Sequence, residues 1–484
     1  MPKILFTHSY FLRFDPKQFR QMQPYPPLGT LSAASVMREE GFDVFLFDPM
    51  FSASPNEIIT YFEKEKPEYL AIVDDGFNYL TKMCLTNMRE AAFEMISLAK
   101  KRGITVIVNS SDSTDQYEMY LNHGADYVVT GEVEISLKEL IKNIQNKANT
   151  FESVEGIIFR ENNKTIVTKK RNVLTDLDSL PAPAWDLADI EGYKKRWLHQ
   201  SGYFSLNIST TRGCPFKCNW CAKPIYGNRY NVHSPDRIVR ELKLLQSTYG
   251  ANHFWMTDDI FGLKPGWISA FSELIRKEKL SIKFKIQSRV DLLLEEDNIR
   301  ALADAGCETV WVGAESGSQK ILDAMDKGTK VEQIFEATTL LKKLQINVAF
   351  FLQFGYPGET KEDIQKTIDM VLELMPDDIG VSVSYPLPGT KFYESVKNQL
   401  VSKANWTDSD ELALMFKNNY PSEFYKELQR YLHKRFRSRQ GLLALKNLFT
   451  HPASVPASGI ISLGKAPFHF AGSYVHKLKM KRYI

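Results

Sequence analysis

Three cysteines fall within eight positions of the segment TTRGCPFKCNWCAKP (210–224). Cys214, Cys218 and Cys221 have the spacing C-x3-C-x2-C. A [4Fe–4S] cluster normally takes four thiolates. Three ligands leave one iron with an open position, which is what substrate chemistry requires at a metal. An open iron of this kind can chelate the amino and carboxylate groups of a methionine moiety, so the spacing predicts a cluster that binds a small molecule directly.

A zinc site is the alternative reading of the same cysteines. Zinc ribbons need four ligands, usually in two C-x2-C knuckles. The nearest downstream histidine, His233, is not at a knuckle spacing and precedes a predicted helix start. The remaining cysteines, Cys84 and Cys307, are isolated, and we expect both to be buried free thiols. Five cysteines in 484 residues do not make a disulfide scaffold.

The elements that must position the cysteines form an alternating strand and helix series. Strands are predicted at Phe204–Thr210, His253–Asp258, Ile282–Ser288, Thr309–Glu315, Asn347–Phe354 and Ile379–Tyr385. Helices fill the gaps between them, and the cysteine loop follows the first strand. Six such units are two short of a closed eightfold barrel. The pattern therefore predicts a partial (β/α)6 TIM-like barrel with its active residues at the strand C-termini.

A second α/β series precedes the barrel. Its strands are predicted at Lys3–Ser9, Asp43–Asp48, Tyr69–Asp75, Ile104–Ser110 and Asp126–Gly131. Apolar runs such as ITVIVNS suit strands that are buried on both faces of a parallel sheet. Five βα units of this length predict an N-terminal flavodoxin-like doubly wound domain with ligands at the strand carboxyl ends. Those ends carry His8, Ser9, Asp48, Asp74, Asp75, Gly76, Asn109, Ser110, Ser111, Gly131 and Glu132.

These patterns divide the chain into four predicted parts. Residues 1–146 form the doubly wound domain, and 147–200 form a linker with a short hairpin and the proline-rich stretch LPAPAW. Residues 201–392 form the barrel, and 393–484 form a mainly helical region that ends in a basic tail. No apolar run of membrane-spanning length and no secretory signal pattern is present, so we expect a cytoplasmic protein.

The tail differs in charge from the rest of the chain. From Leu428 to Ile484 there are eleven Lys and Arg and no Asp or Glu. Such an arm suits an anionic membrane surface, and peripheral contact with the inner membrane surface is one prediction. A partly disordered, solvated terminus is the other interpretation. Nucleic-acid binding ranks lower, because no recognised RNA-binding module accompanies the arm.

The cysteine motif followed by six βα units resembles the radical SAM superfamily over about Phe204–Phe392. The resemblance implies that the cluster binds S-adenosylmethionine (SAM) and cleaves it reductively to a 5′-deoxyadenosyl radical. It also implies an electron donor of the flavodoxin or ferredoxin type. By position in TDDIF, IQSRVD, GAESGS and YPLPGT, the residues implied to contact SAM or its surroundings are Trp220, Asp258, Asp259, Gln287, Arg289, Glu315, Ser316 and Tyr385.

The doubly wound domain ahead of the barrel is similar to that of cobalamin-binding radical SAM enzymes. PPLGTLSAASVMREEGFDVFLFD and GADYVVTGEVE resemble the start and end of that group's first domain. ANWTDSDELALMF resembles the C-terminal region of anaerobic magnesium-protoporphyrin cyclase-like members. The implied cobalamin contacts are His8, Ser110, Ser111 and Gly131. The Asp-x-His-x-x-Gly motif that supplies an axial imidazole is absent, so a cobalamin-free domain stays open, and a satisfied strand-end histidine is the simpler interpretation of His8.

The resemblance implies hydrogen abstraction from an unactivated carbon of a small, lipid-like or porphyrin-like substrate. Cobalamin-dependent C-methylation is the first interpretation, and oxidative cyclisation or another radical rearrangement without methyl transfer is the second. Methylthiotransferases carry additional N-terminal cysteines, whereas only Cys84 lies in this N-terminal domain. A non-enzymatic metal-binding protein with a membrane- or nucleic-acid-binding tail is the alternative from another class.

Overall fold

The computed structural model describes residues 2–74, 76–77, 85–148, 150–223, 225–295, 297–403, 405–450 and 457–483. Cys84 and Asp75 lie outside these residues. The chain separates into two compact units. The first comprises Met1–Pro215, Ala222–Ile286 and Asn405–Glu411, and the second comprises Phe216–Cys221, Gln287–Ala404 and Leu412–Ile484. Each unit is an α/β structure, and the second one ends in long helices.

A seven-stranded sheet forms the first part of the first unit, in the order β2-β1-β3-β4-β5-β6-β7. The first five strands pair in parallel, and their order 2-1-3-4-5 is that of flavodoxin-like sheets. The strands are β1 (Lys3–Thr7), β2 (Asp43–Phe47), β3 (Tyr69–Val73), β4 (Thr105–Asn109), β5 (Tyr127–Val129), β6 (Ile157–Glu161) and β7 (Lys164–Val167).

In the described residues the helices that accompany this sheet are α1 (Pro16–Gln21), α2 (Leu28–Glu39), α3 (Ile58–Glu65), α4 (Thr86–Lys100), α5 (Ser111–Asp115), α6 (Tyr117–Asn122) and α7 (Val133–Gln145). The packing follows from the apolar pattern. All five residues of β3 are buried, and α4 buries a stripe from Met88 through Met95 to Ala99 at helical spacing. The side chains that meet in this way form one core between strands and helices.

The segment predicted as a linker is folded against the first unit. Strand β6 pairs antiparallel with β5, and β7 pairs with β6, so the hairpin extends the sheet. The physical reason is that Ile157, Ile158 and Phe159 are all buried. Helix α8 (Ile190–Ser201), which the proline-rich sequence did not predict, follows the hairpin and buries Tyr193 and Trp197.

The six strands predicted for the barrel all form. In the first unit β8 (Ser205–Ile208), β11 (His253–Met256) and β12 (Lys283–Ser288) pair in parallel, with β11 in the middle. A short antiparallel pair joins β9 (Thr211–Arg212) to β10 (Asn231–Val232). Helices α9 (Pro235–Tyr249) and α10 (Trp267–Lys277) connect these strands. Strand β12 reaches the end of the first unit, and its last two residues belong to the second.

In the second unit β13 (Cys307–Glu315), β14 (Asn347–Phe354) and β15 (Asp378–Val383) pair in parallel. Cys307 is a buried free thiol, as predicted. The helices are α11 (Val290–Leu293), α12 (Asn298–Asp304), α13 (Gln319–Ala324), α14 (Val331–Lys343), α15 (Lys361–Leu374), α16 (Lys391–Val396), α17 (Ser422–Thr450) and α18 (Ala457–Met480).

The basic tail is helical. Helices α17 and α18 pack closely along each other, and Gly441 lies where an added Cβ would come within 2.6 Å of Ala466. The interpretation as a disordered, solvated terminus is therefore wrong for 457–483. Within the described ranges, no helix combines the length and apolar character needed to cross a membrane.

Trp197 on α8 provides a stability test of the reassigned segment. Its side chain is fully buried and its indole nitrogen donates to the carbonyl oxygen of Pro24 at 2.7 Å. We expect Trp197→Ala to lower the free energy of unfolding by about 3–5 kcal/mol, because it leaves a cavity and an unsatisfied carbonyl. The measurement is urea denaturation followed by circular dichroism.

The neighbouring Leu198 is the matched control. Its side chain is 47% exposed on the same helix, so Leu198→Ala should change the free energy of unfolding by less than about 0.5 kcal/mol. Equal effects of the two substitutions would show that α8 is not packed as described.

Candidate functional site

The cysteine loop begins at a glycine that no other residue can replace without strain. Gly213 follows β9 with a φ of +80°, and an added Cβ would lie 2.5 Å from the carbonyl oxygen of Arg229. Both the left-handed backbone and the close approach require glycine. Cys214 comes next and is half-buried. The backbone between β9 and Cys214 is therefore held in one path.

A buried carboxylate holds the residues just ahead of that glycine. Asp258, at the end of β11, accepts hydrogen bonds from the backbone nitrogens of Thr210 at 2.7 Å and Thr211 at 2.8 Å. The Thr210 hydroxyl donates to its other oxygen at 2.5 Å. Burial raises the pKa of Asp258 to about 6. The carboxylate thus ties the entry of the cysteine loop to β11, while the adjacent Asp259 is half-buried.

Arg212 connects the same loop to the end of the first sheet. Its guanidinium is buried and donates to Glu132 at 2.9 Å and to Glu134 at 2.6 Å. It also lies 5.4 Å from the ring of Tyr226. Two carboxylates around one buried guanidinium satisfy its charge, and removing both would leave a buried cation without a counterpart. Sequence reasoning missed Arg212, although it directly precedes the Gly-Cys pair.

In the second unit, Asn219 fixes the middle of the cysteine loop. Its backbone nitrogen donates to Met325 at 3.0 Å and its amide nitrogen to Ala324 at 2.6 Å. Its amide oxygen accepts from the Tyr356 hydroxyl at 3.0 Å. Between the second and third cysteines, the backbone nitrogen of Cys221 donates to the carbonyl of Cys218. A tight turn therefore presents Cys218 and Cys221, both half-buried.

Arg289 lies beside this turn. One guanidinium nitrogen is 3.9 Å from the Cys218 sulfur and also donates to the carbonyl of Lys327 at 2.8 Å. The guanidinium stacks on Phe216 at 3.7 Å and pairs with Asp291 at 2.8 Å. The structure thus brings together two residues that the sequence proposed separately, Arg289 and Cys218.

A buried ion pair occupies the end of β13. Glu315 has a φ of +56° at a register shift in the strand, and it accepts from Lys327 at 2.9 Å. Gly313 makes room for the pair, because an added Cβ would lie 2.6 Å from the Lys327 nitrogen. Left-handed backbone at a non-glycine residue is typical of functional sites. Lys327 was not predicted, and no spacing in the sequence indicated it.

The remaining predicted SAM contacts differ in burial. Ser316 is buried and shares a hydrogen bond with Thr367 at 3.1 Å. Gln287 and Tyr385 are half-buried, near the ends of β12 and β15. Among the residues that the structure describes, the indole nitrogen of Trp220 is shielded from solvent and has no hydrogen-bond partner, and the same holds for the amide oxygen of Gln353 on β14. Buried polar atoms without partners are typical of a site that a ligand completes.

Polar side chains at the strand ends of the first sheet form hydrogen bonds within the sheet and its adjoining helices. His8 is buried, with one ring nitrogen 3.0 Å from Asp48 and the other accepting from the backbone of Tyr10. Both nitrogens are engaged, which agrees with a satisfied strand-end histidine and leaves no free imidazole nitrogen for an axial ligand. Ser110 caps α5 by accepting from Ser113 at 2.8 Å. Ser111 is buried in the first turn of that helix.

A small pocket lies at the carboxyl ends of β3, β4 and β5. Gly131 is adjacent, and its carbonyl accepts from the Asn109 amide at 3.0 Å. The walls include Gly29, Gly76, Asp74 and Tyr226, and burial raises the pKa of Asp74 to about 6. Doubly wound sheets bind ligands at this edge, so the position of the pocket fits a ligand of the first sheet.

The residues fit two further groups that the sequence implied. The spacing of Cys214, Cys218 and Cys221 along the chain suits the ligands of a cubane with an open iron. The unpartnered Trp220 nitrogen beside them suits a bound nucleoside. Among the side chains that the structure describes, no three His, Cys, Asp or Glu are grouped closely enough for a single metal ion. A cubane needs a wider arrangement than a single ion, because each cysteine binds a different iron.

Comparison with known proteins gives a consistent picture. Residues 208–371 match the radical SAM superfamily. The chain is 28% identical to an uncharacterised methyltransferase of Pyrococcus horikoshii, over 88% of this chain and 90% of that protein. It is 25% identical to the anaerobic magnesium-protoporphyrin IX monomethyl ester cyclase of a Synechocystis species, over 80% and 76%.

Among solved structures, the fold is similar to that of OxsB, described as a cobalamin-dependent SAM radical enzyme with aqua-cobalamin bound. The TM-score is 0.75 at 18% identity, covering 99% of this chain and 72% of that one. At this identity the likeness concerns the fold. It shows that one known structure shares the fold of nearly the entire chain.

The pKa of Asp258 predicts a pH dependence of stability. Because the native carboxyl has a pKa of about 6 against an ordinary 3.8, the native state holds more protons between these values. Stability should therefore fall as pH rises from about 4 to 6. Asp258→Asn keeps the hydrogen-bond geometry without the charge, and we expect it to reduce this fall by about 1–3 kcal/mol.

The measurement is urea denaturation at several pH values between 4 and 7 for both proteins. Asp259→Asn, in the adjacent half-buried position, is the matched control and should keep the wild-type profile. An unchanged profile in Asp258→Asn would contradict a buried Asp258 carboxyl in the native protein.

Arg289 predicts a change in cluster potential. A cation and hydrogen-bond donor near a ligating sulfur stabilises the reduced cluster. We expect Arg289→Gln to lower the midpoint potential by on the order of tens of millivolts, measured by electron paramagnetic resonance titration of reconstituted protein. Arg300→Gln, on an exposed position of α12, should leave the potential unchanged. Equal potentials in all three proteins would show that Arg289 does not act on the cluster.

Proposed function

We propose that the chain is a radical SAM enzyme, which uses a [4Fe–4S] cluster on Cys214, Cys218 and Cys221 to cleave SAM and, with cobalamin, methylates an unactivated carbon. The observation that carries the proposal is the superfamily match over 208–371, which contains all three cysteines at the C-x3-C-x2-C spacing. The relative in Pyrococcus horikoshii, whose name calls it an uncharacterised methyltransferase, supports methyl transfer as the outcome.

When bound, the cluster supplies the electron for SAM cleavage and cobalamin supplies a carrier for the methyl group. The residues of this chain hold and orient these groups. Gly213, Asp258 and Asn219 fix the path of the cysteine loop. Arg289 places a positive charge 3.9 Å from the Cys218 sulfur, beside the proposed cluster.

We assign the SAM contacts as proposals, residue by residue. Trp220 lies against the adenine and offers its unpartnered indole nitrogen. Glu315 and Ser316 face the methionine and ribose, with Lys327 holding the Glu315 carboxylate in place. Of the two acidic residues after β11, Asp259 suits the SAM amino group better, because Asp258 already accepts three hydrogen bonds from Thr210 and Thr211. Gln287 and Tyr385 complete the proposed set.

The proposal for cobalamin rests on the pocket at the ends of β3 to β5 and on the likeness to a cobalamin-dependent enzyme. Ser110, Ser111 and Gly131 lie at these strand ends and would contact it. His8 would not supply an axial ligand, since both its ring nitrogens are engaged. We therefore propose that cobalamin binds to this chain without a histidine ligand.

Oxidative cyclisation is the second candidate function. It is favoured by the relative in Synechocystis, whose name places its action on a magnesium protoporphyrin ester. For either reaction we propose a small, porphyrin-like or lipid-like substrate and a flavodoxin- or ferredoxin-type electron donor. The two reactions differ in whether a SAM-derived methyl group is retained in the product.

The test is anaerobic purification followed by reconstitution with iron, sulfide and hydroxocobalamin. We expect about four irons per chain, retained corrinoid absorption and formation of 5′-deoxyadenosine when SAM and dithionite are added. Cys218→Ala should abolish the cluster band and 5′-deoxyadenosine formation. Cys307→Ala, at a buried thiol outside the loop, is the control and should retain both.

The outcomes separate the alternatives. A cluster band without retained corrinoid would favour chemistry without cobalamin. Protein that binds zinc and no iron would overturn the enzymatic proposal and favour a metal-binding protein. Deuterated SAM supplied with a candidate tetrapyrrole distinguishes methylation from cyclisation by the mass of the product.

A further inference from the structure

The last two helices expose an unusual amount of apolar surface. In the described part of the chain, more than half of the exposed large apolar side chains lie between Leu442 and Tyr483. The first half of α17 behaves differently, since Phe424, Leu428, Leu432 and Phe436 are buried there. Beyond Gly441 the same helix turns apolar residues outward instead of burying them.

Exposed side chains occur near the ends where the two helices succeed each other and along the second helix. Phe449, close to the end of α17, is 80% exposed. Ile460 and Ile461, near the start of α18, are 57% and 58% exposed, and Phe468, further along α18, is 68% exposed. Exposed apolar side chains concentrated on two packed helices mark an interaction site. We call the exposed apolar side chains of 442–450 and 460–483 the distal surface.

Positive charge accompanies the distal surface. Lys446 and Lys465 lie on the two helices, and Lys477 and Lys479 are in the last turn of α18. The acidic groups that pair with these helices lie elsewhere: Glu427, at the start of α17, meets His476 at 2.6 Å, and Asp378 on β15 meets Arg437 at 3.0 Å. Since no acidic residue follows Glu427, the distal surface is both apolar and cationic.

Aromatic rings and cations are interleaved along the pair. The Lys434 ammonium lies 4.5 Å from the ring of Phe468, and the Arg435 guanidinium lies 5.7 Å from that of Phe470. Both rings stay more than half exposed. Helices that combine exposed Phe, Ile and Leu with Lys and Arg bind in the interfacial region of bilayers.

We propose that the distal surface binds an anionic lipid bilayer, with the helices lying on the membrane rather than crossing it. The positive charge of the distal surface favours an anionic bilayer over the other binding partners considered. A second copy of the chain would bring an equally cationic surface, and a nucleic acid would leave Phe449, Ile460 and Ile461 without an apolar partner. The proposal rests on α17 and α18 alone and stands apart from the reaction proposed above.

The experiment is flotation of the full-length protein with vesicles of phosphatidylcholine alone or with about one third phosphatidylglycerol, at low and high salt. We expect binding to the anionic vesicles that weakens as salt rises. Phe449→Ser combined with Ile460→Ser and Ile461→Ser should lower the partition coefficient at least about tenfold. Lys465→Gln with Lys477→Gln and Lys479→Gln should lower it at least about tenfold on anionic vesicles.

Phe19→Ser is the control, because Phe19 is an exposed aromatic on α1, away from these helices in the chain. It should bind as the wild type does. Absence of binding to anionic vesicles, or equal binding by the apolar variant, would overturn the proposal. So would a dimer in sedimentation equilibrium that the apolar variant abolishes, because the occupant would then be a second copy. Circular dichroism of each variant verifies that α17 and α18 remain folded.

Discussion

The position of the cysteine loop depends on how a short stretch of backbone is held ahead of it. Three hydrogen bonds to the buried Asp258 carboxylate fix Thr210 and Thr211, and the left-handed Gly213 then turns the chain into Cys214. Burial raises the pKa of this carboxyl to about 6. The site therefore begins at a group that costs stability when ionised, which is typical of residues retained for function.

The parts of the fold with a clear pattern of apolar residues could be predicted from the sequence. Short apolar runs such as ITVIVNS are long enough for one buried strand and too short for a helix, so β4 was placed to within a residue or two. The segment 147–200 could not be predicted in this way. Its prolines indicated a linker, whereas the burial of Trp197 and Phe159, which depends on distant neighbours, makes it part of the first unit.

In the candidate site, too, some residues could be predicted from local sequence and others could not. The cysteines were found because their spacing along the chain is itself the signal. Lys327 was missed because no motif joins it to Glu315, and Arg212 was missed because Glu134 is distant in sequence. From the sequence, His8 could be either a cobalamin contact or a strand-end histidine with its hydrogen bonds satisfied. The structure distinguishes the two because it shows the contacts of the ring with Asp48 and with the Tyr10 backbone.

The ion pairs of Arg212 limit how this chain can be divided into fragments. Arg212 lies beyond the predicted start of the barrel, but Glu132 and Glu134 precede it by about eighty residues. A fragment that begins at residue 201 keeps the guanidinium and loses both carboxylates, which leaves a cation in a site built to neutralise it. The stretch before residue 147 and the start of the predicted barrel therefore depend on each other for charge balance, although their sequence patterns look separable.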